Sequence, residues 1–258
     1  MIRLRGLLLA ACLAMAGGGM AEAQTMAVVK IRDTNQIVRL YGSRGHEAVI
    51  VSSGDGGWIH LGPHVAELLA AKGYFVVGVD VRAYLASLTS GTGAVRPEDE
   101  PADYRKFIDY AAKGNVGKPV LIGVSEGAGL SVLAATDPGI KQAVAGVIGL
   151  GLPNLNELAW RWRDAIIYVT KGVPKEPAFS TAEIVDRMAP LPLAAIHATH
   201  DEFVPVSEVQ RVMERAKDPK KLWIVQASNH RFSDNINEFD ERLLEALAWV
   251  KSQSGASR

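Results

Sequence analysis

The chain has 258 residues, 48% of them hydrophobic and 22% charged, which suits one globular domain with a substantial core. Lys+Arg and Asp+Glu are both 28, so no bulk field pulls it toward nucleic acid or an anionic surface. There is no basic run interleaved with aromatics either, and nucleic-acid binding is not expected.

Arg3 and Arg5 precede an apolar run from Leu7 to Ala16, and Ala21-Glu22-Ala23 has the small-x-small form of a signal-peptidase site. Residues 1–23 are therefore expected to be a signal peptide, with export to the periplasm or beyond. A membrane anchor would need roughly 20 apolar residues, and Gly17-Gly18-Gly19 interrupts this stretch. Lipidation at Cys12 is the rival reading, because Leu9-Ala10-Ala11-Cys12 resembles a lipobox. Only about five apolar residues precede it, fewer than the usual h-region of about 7–15. Cys12 is the sole cysteine, so a chain starting at Gln24 has no disulfide, thiol catalyst or thiolate ligand.

From residue 24 onward, short β-branched runs alternate with helical patterns, the signature of βαβ units and a mostly parallel sheet. Ala27 to Ile31 and Ile37 to Leu40 read as antiparallel edge strands, and Ala48 to Ser52 as the first buried strand. A helix follows from about Leu61 to Ala71, then a strand at Phe75 to Val79 and a polar loop from Ser87 to Val95. Pro97 to Lys113 is a predicted helix, Val120 to Val124 a central strand and Glu126 to Ala135 the next helix. Strands at Val144 to Leu150 and Leu193 to Ala198 follow, then a helix at Ser207 to Ala216. Leu222 to Gln226 is the last strand and Asn237 to Val250 the closing helix. The expected architecture is a doubly wound α/β domain spanning residues 24–258, with a small helical cap inserted at about 152–190.

Gly123-Val124-Ser125-Glu126-Gly127 lies where this skeleton turns from a buried strand into a helix. That is the context of the nucleophile elbow of the α/β-hydrolase fold. Small residues two before and two after the serine let the turn close, and the helix N-terminus favours developing negative charge. The rival is a Gly-rich nucleotide-binding turn with serine as a cap. A nucleophilic serine needs a base, and the base needs an orienting acid, in chain order Ser, Asp or Glu, His. Asp201 follows the strand Leu193 to Ala198, and His230 follows the last strand. Both stand just past a strand's C-terminal end, so Ser125, Asp201 and His230 are the expected catalytic set. Among other histidines, His197 reads as a packed strand residue and His200 as a loop contact, while His60 and His64 could line a pocket. Glu202, Asp80 and Asp234 are the other acids considered. His197, His200 and Asp201 do not form a helical metal pair, and neither metal nor cofactor is expected.

The oxyanion of an acyl transfer needs amide donors. Glu126, after the nucleophile, is one; Asp55 or Gly56 in the glycine-rich loop supplies the other, with Asp55 favoured. Trp58, Trp160 and Trp162 are candidates for the substrate pocket. Leu158 to Tyr168 reads as a helix with aromatic and basic faces. It is either a lid over the pocket that can touch a membrane interface, or a helix packing its tryptophans on the core.

Ser53-Gly54-Asp55-Gly56-Gly57-Trp58, Gly78-Val79-Asp80 with Tyr84, and Leu121-Ile122-Gly123 resemble the bacterial virulence protein family of VirJ and AcvB. The likeness runs in layout from Ala48 to the C-terminus, with its specific motifs mostly in the first half. It implies an α/β-hydrolase fold, a periplasmic location, and hydrolysis of aminoacylated phosphatidylglycerol such as its lysyl form. It also implies a link to type IV secretion. The chain departs from the family at the elbow, with Gly-Val-Ser-Glu-Gly-Ala-Gly where the family tends to have Gly-Tyr-Ser-Phe-Gly-Ala-Asp. The expected function is a secreted serine hydrolase acting on a small-molecule or lipid ester. The alternative is a non-catalytic periplasmic binding or secretion-associated protein on the same scaffold, against which a complete Ser, Asp and His set argues. A dienelactone-hydrolase-like or peptidase activity is a third option, but the usual cysteine nucleophile of the former is absent.

Overall fold

A computed structural model describes residues 24–90, 93–160 and 177–256. The predicted leader, Trp162 and most of the predicted cap helix lie outside these described residues.

Eight strands form the main sheet: β1 (Thr25–Ile31), β2 (Thr34–Tyr41), β3 (Glu47–Ser52), β4 (Phe75–Val79), β5 (Val116–Val124), β6 (Gly146–Leu150), β9 (Leu193–Ala198) and β10 (Lys220–Val225). They lie in the order β1-β2-β4-β3-β5-β6-β9-β10. The pairs from β4 to β10 are parallel; β1 pairs antiparallel with β2, and β2 with β4. β4, β6 and β9 are buried along their whole length, as parallel strands covered on both faces must be. Period two sorts each strand's side chains between two cores. Ala48 and Ile50 of β3 join one cluster, and Val49 and Val51 the other.

Helices α1 (Leu61–Ala71) and α8 (Ile236–Ala256) cover one face; α2 (Val81–Thr89), α3 (Glu100–Ala112), α4 (Glu126–Ala134) and α7 (Val206–Arg215) cover the other. The remaining helices, α5 (Pro138–Ala143) and α6 (Thr181–Ile184), are short. Chain order reverses between β3 and β5, which are neighbours in the sheet. The crevice beyond the C-terminal ends of such strands is where α/β sheets bind ligands.

Two helices were not legible in the sequence. α2 begins where Asp80 accepts the Ala83 amide at 3.0 Å, and it buries Tyr84 and Leu85, so helix runs into the predicted polar loop as far as Thr89. α5 starts on Asp137, whose side chain accepts from Gly139 and Ile140. The predicted helical cap lies mostly outside the described residues, and of its described part only α6 and the 3-10 turn after it are helical. Its described part holds an antiparallel pair, β7 (Leu155–Glu157) with β8 (Ala178–Ser180), and Leu158 to Trp160 are not helical. No helix among the described residues is long and apolar enough to cross a membrane.

Candidate active site

Ser125 sits between β5 and α4 at φ 50°, ψ −119°, a conformation a non-glycine residue adopts only when its surroundings impose it. Its amide donates to Leu150 O at 2.8 Å, pinning the turn to β6. A Cβ on Gly123 would stand 2.1 Å from Gly127 O, and one on Gly127 would stand 2.4 Å from Ser53 O. Neither position can carry a side chain without moving backbone, so both glycines of the motif are required by packing. The glycine-rich loop comes close as well: a Cβ on Gly54 would lie 3.3 Å from that of Ser125.

Asp201 organises its own turn. Its Oδ1 accepts the amides of Phe203 (2.9 Å) and Val204 (2.8 Å), while Oδ2 meets His230 Nδ1 at 2.6 Å. Burial pushes the Asp201 carboxyl up, but the hydrogen bond and charge of His230 and the two amides outweigh it and hold the group below its ordinary value. An ionised carboxylate can only accept, so Nδ1 carries a proton, and neutral His230 presents a lone pair on Nε2. That Nε2 is buried and has no hydrogen-bond partner among the described residues. The His230 ring lies over Gly151 (φ +59°), where a Cβ would come within 2.4 Å of its Cε1. Phe203 meets the same ring edge-on at 5.6 Å.

The adjacent acids divide the work. Glu202 Oε2 accepts the backbone amide of His230 at 2.6 Å and so fixes the loop rather than the ring. Asp234 likewise holds the Ser228 amide, at 3.0 and 3.1 Å. Asp80 caps α2 and pairs with Arg39. His197 is buried in β9 and reaches Val204 O at 2.8 Å, bracing the Asp201 turn from below.

Ser125 and His230 line one cavity of about 400 Å³, together with Asp55, Gly56, His60, Glu126 and Leu155 among others. Glu126 opens α4, so its amide has no partner within the helix, and the residue lies in the cavity wall beside Ser125. Its carboxyl turns inward. Oε1 is buried without a partner among the described residues, and burial, Asp55 and Glu157 together raise its pKa well above the ordinary glutamate value.

A family model described as bacterial virulence protein (VirJ) matches residues 46–249. The chain belongs to that family. No curated protein is similar enough in sequence to be matched. Solved structures with the same fold include the α/β hydrolase GrgF from Penicillium sp. sh18, at 13% identity and TM-score 0.66, covering 90% of this chain and 100% of that one. Est1E from Butyrivibrio proteoclasticus has 17% identity and TM-score 0.62 over 86% and 99%. The Pyrococcus furiosus esterase Pf2001 has 19% and 0.65 over 88% and 90%. At such identities the likeness is one of fold, and the fold is that of the α/β-hydrolases.

Within this member of the VirJ family, the predicted tryptophan pocket needs correction. Trp58 does not line the cavity: its Nε1 donates to Tyr41 at 3.1 Å, and its ring fills the space a Cβ on Gly78 would need. Trp160 also lies elsewhere, under Arg82 (3.9 Å to the ring centre) and against Thr89, while Trp162 falls outside the described residues. His64 pairs with Asp240 at 2.6 Å and is not part of the cavity wall, whereas His60 is. Sequence reasoning passed over Gly151, Phe203 and Glu157. Only Phe203 carried a signal, by standing two residues after the candidate acid.

Proposed function

We propose that this chain is a serine hydrolase that cleaves carboxylic esters. The observation that carries the proposal is the 2.6 Å contact between Asp201 and His230, in a cavity whose wall holds both His230 and the strained Ser125. As Ser125 Oγ attacks the ester carbonyl carbon, His230 Nε2 takes the hydroxyl proton. The carbonyl oxygen becomes an oxyanion that the Glu126 and Asp55 amides stabilise. His230 then returns the proton to the departing alkoxide, leaving an acyl-serine. Water, deprotonated by Nε2, attacks this ester; collapse releases the acid, and Ser125 regains its proton. No metal or other cofactor enters the scheme.

The substrate we propose is an aminoacyl ester of phosphatidylglycerol, the lysyl form included. Family membership supports it, and so does the charge around the nucleophile. Asp55 and Glu157 both act on the Glu126 carboxyl, an acidic environment that favours an acyl group bearing an ammonium. The leader in residues 1–23 supports action in the periplasm.

Fluorophosphonate labelling and p-nitrophenyl ester turnover of the wild type and Ser125→Ala test the chemistry. We expect labelling to vanish and turnover to fall by about 10³-fold or more; labelling that persists in the variant removes Ser125 from the mechanism. Aminoacyl-lipid levels in cells with and without the protein test the substrate separately. Equal levels would discard the lipid ester and keep the esterase.

A further inference from the structure

Among the described residues seven large hydrophobic side chains are exposed, and three of them (Ile59 at 51%, Leu155 at 59%, Phe203 at 67%) line the Ser125 cavity. Exposed apolar residues scattered singly carry no message; their convergence on one opening does. They come from three separate segments, the loop before α1, strand β7 and the turn after β9. Each is tied down through its own backbone: Ile59 N donates to Gly57 O at 2.8 Å, Leu155 faces Ser180 across β7–β8, and Phe203 N donates to the Asp201 side chain.

We propose that Ile59, Leu155 and Phe203 form a contact ring that seats the mouth of the cavity on the surface of a phospholipid bilayer. The inference rests on the ester-hydrolase reading, because it concerns how substrate reaches Ser125. A rigid partner covering the ring, including a second copy of the chain, would lie across the opening that the ring surrounds. A bilayer covers the ring and supplies the ester in the same contact. The other charged groups in the wall include both signs, Asp55 against Arg231, so apolar insertion and not net charge drives the contact. Binding is then expected on zwitterionic as well as anionic lipid, with a weak salt dependence.

Site-specific fluorescence tests it. The chain from Gln24 onward carries every element of the described fold and has no cysteine, so one introduced cysteine takes one label. In a Ser125→Ala background, an environment-sensitive fluorophore is placed at Leu155→Cys and, separately, at Val116→Cys. Val116 is 60% exposed and begins β5 nine residues before Ser125, about 30 Å away along an extended strand. With vesicles of phosphatidylcholine, alone or mixed with phosphatidylglycerol, we expect a blue shift and quenching by spin-labelled lipid at 155 and neither at 116. Ile59→Ser with Leu155→Ser should weaken vesicle partition on the order of tenfold for each residue, with an unchanged melting temperature showing that the fold is intact. Absence of partition, an equal response at 116, or partition indifferent to the two serines overturns the ring. So does sedimentation showing a dimer that the two serines abolish. Fluorophosphonate labelling of the unsubstituted protein is scored independently. Labelling without partition leaves the esterase and removes the docking; partition without labelling does the reverse.

Discussion

Replacing Asp201 by asparagine isolates its role in setting the His230 tautomer. The two side chains are isosteric, and the structure dictates how the amide must lie. Oδ1 receives two backbone N–H groups, from Phe203 and Val204, so the asparagine oxygen has to stay there. Turning it around would set an NH₂ against two donors, at about 1–3 kcal/mol for each amide left unpaired. The NH₂ therefore faces His230 Nδ1, which becomes an acceptor, and the ring proton moves to Nε2. That nitrogen can then no longer take the Ser125 proton. The expected loss in kcat/KM for p-nitrophenyl acetate near neutral pH is about 10³–10⁴-fold, equivalent to about 4–5.5 kcal/mol of transition-state stabilisation. Stability reports the same contact. Because the folded carboxyl is depressed, its contribution is present above the ordinary aspartate value and is lost as pH falls through the folded one. The acid limb of a melting-temperature profile should thus be flatter in Asp201→Asn than in the wild type. A loss of activity below about tenfold would refute the reasoning, as would an equal loss in Glu202→Gln, which removes a charge from a group that touches only the His230 backbone.

Further outcomes follow from neighbouring groups. Gly151→Ala puts a methyl 2.4 Å from the His230 ring at positive φ; turnover should drop by about 100-fold or more, with only about 1–2 kcal/mol lost in denaturant unfolding. Asp234→Asn, which touches the Ser228 amide and not the imidazole, should leave kcat within a few-fold; an order-of-magnitude loss would transfer the acid role to it. Glu126 is raised in the folded state, so its ionisation opposes folding as pH climbs above the ordinary glutamate value. Glu126→Gln should therefore raise the melting temperature more at about pH 8 than at about pH 4, read by scanning fluorimetry across that range.

Placement relative to strands made legible which residues would meet in the candidate site. Ser125, Asp201 and His230 each stand past the C-terminal end of a strand, two of them recognisable as buried apolar runs (β5 and β9) and the third, β10, buried only at Trp223 and Val225. The choice between Asp201 and Glu202 was fixed only by side-chain geometry. Both residues touch His230, one on the ring and one on the backbone, a division that spacing cannot express. The tryptophans misled for a physical reason. Trp58 is drawn under the sheet by Gly78 and Tyr41, partners 20 and 17 residues away that no local pattern connects to it. Gly151 was silent because its importance lies in what crosses above it. α2 was missed because its apolar face is short and its cap, Asp80, served in the reading as a candidate acid.

The neighbour of Ser125 is where this chain's proposed chemistry is most its own. In the reaction we propose, the residue whose amide meets the oxyanion also carries a carboxyl. A full negative charge a few ångströms from that oxygen costs about 3 kcal/mol at an effective dielectric near 20, roughly a hundredfold in rate. The fold relieves this in part by burial: the Glu126 carboxyl is turned from solvent, close to Asp55 and Glu157, where the neutral form is favoured. Burial of a third acid among others is itself expensive, so it needs a compensating use. An ammonium on the acyl group supplies one, because its attraction to the remaining negative charge offsets the repulsion that the developing oxyanion meets. Glu126 thus ties the sequence's departure from its family at the elbow to the kind of ester we propose for the site.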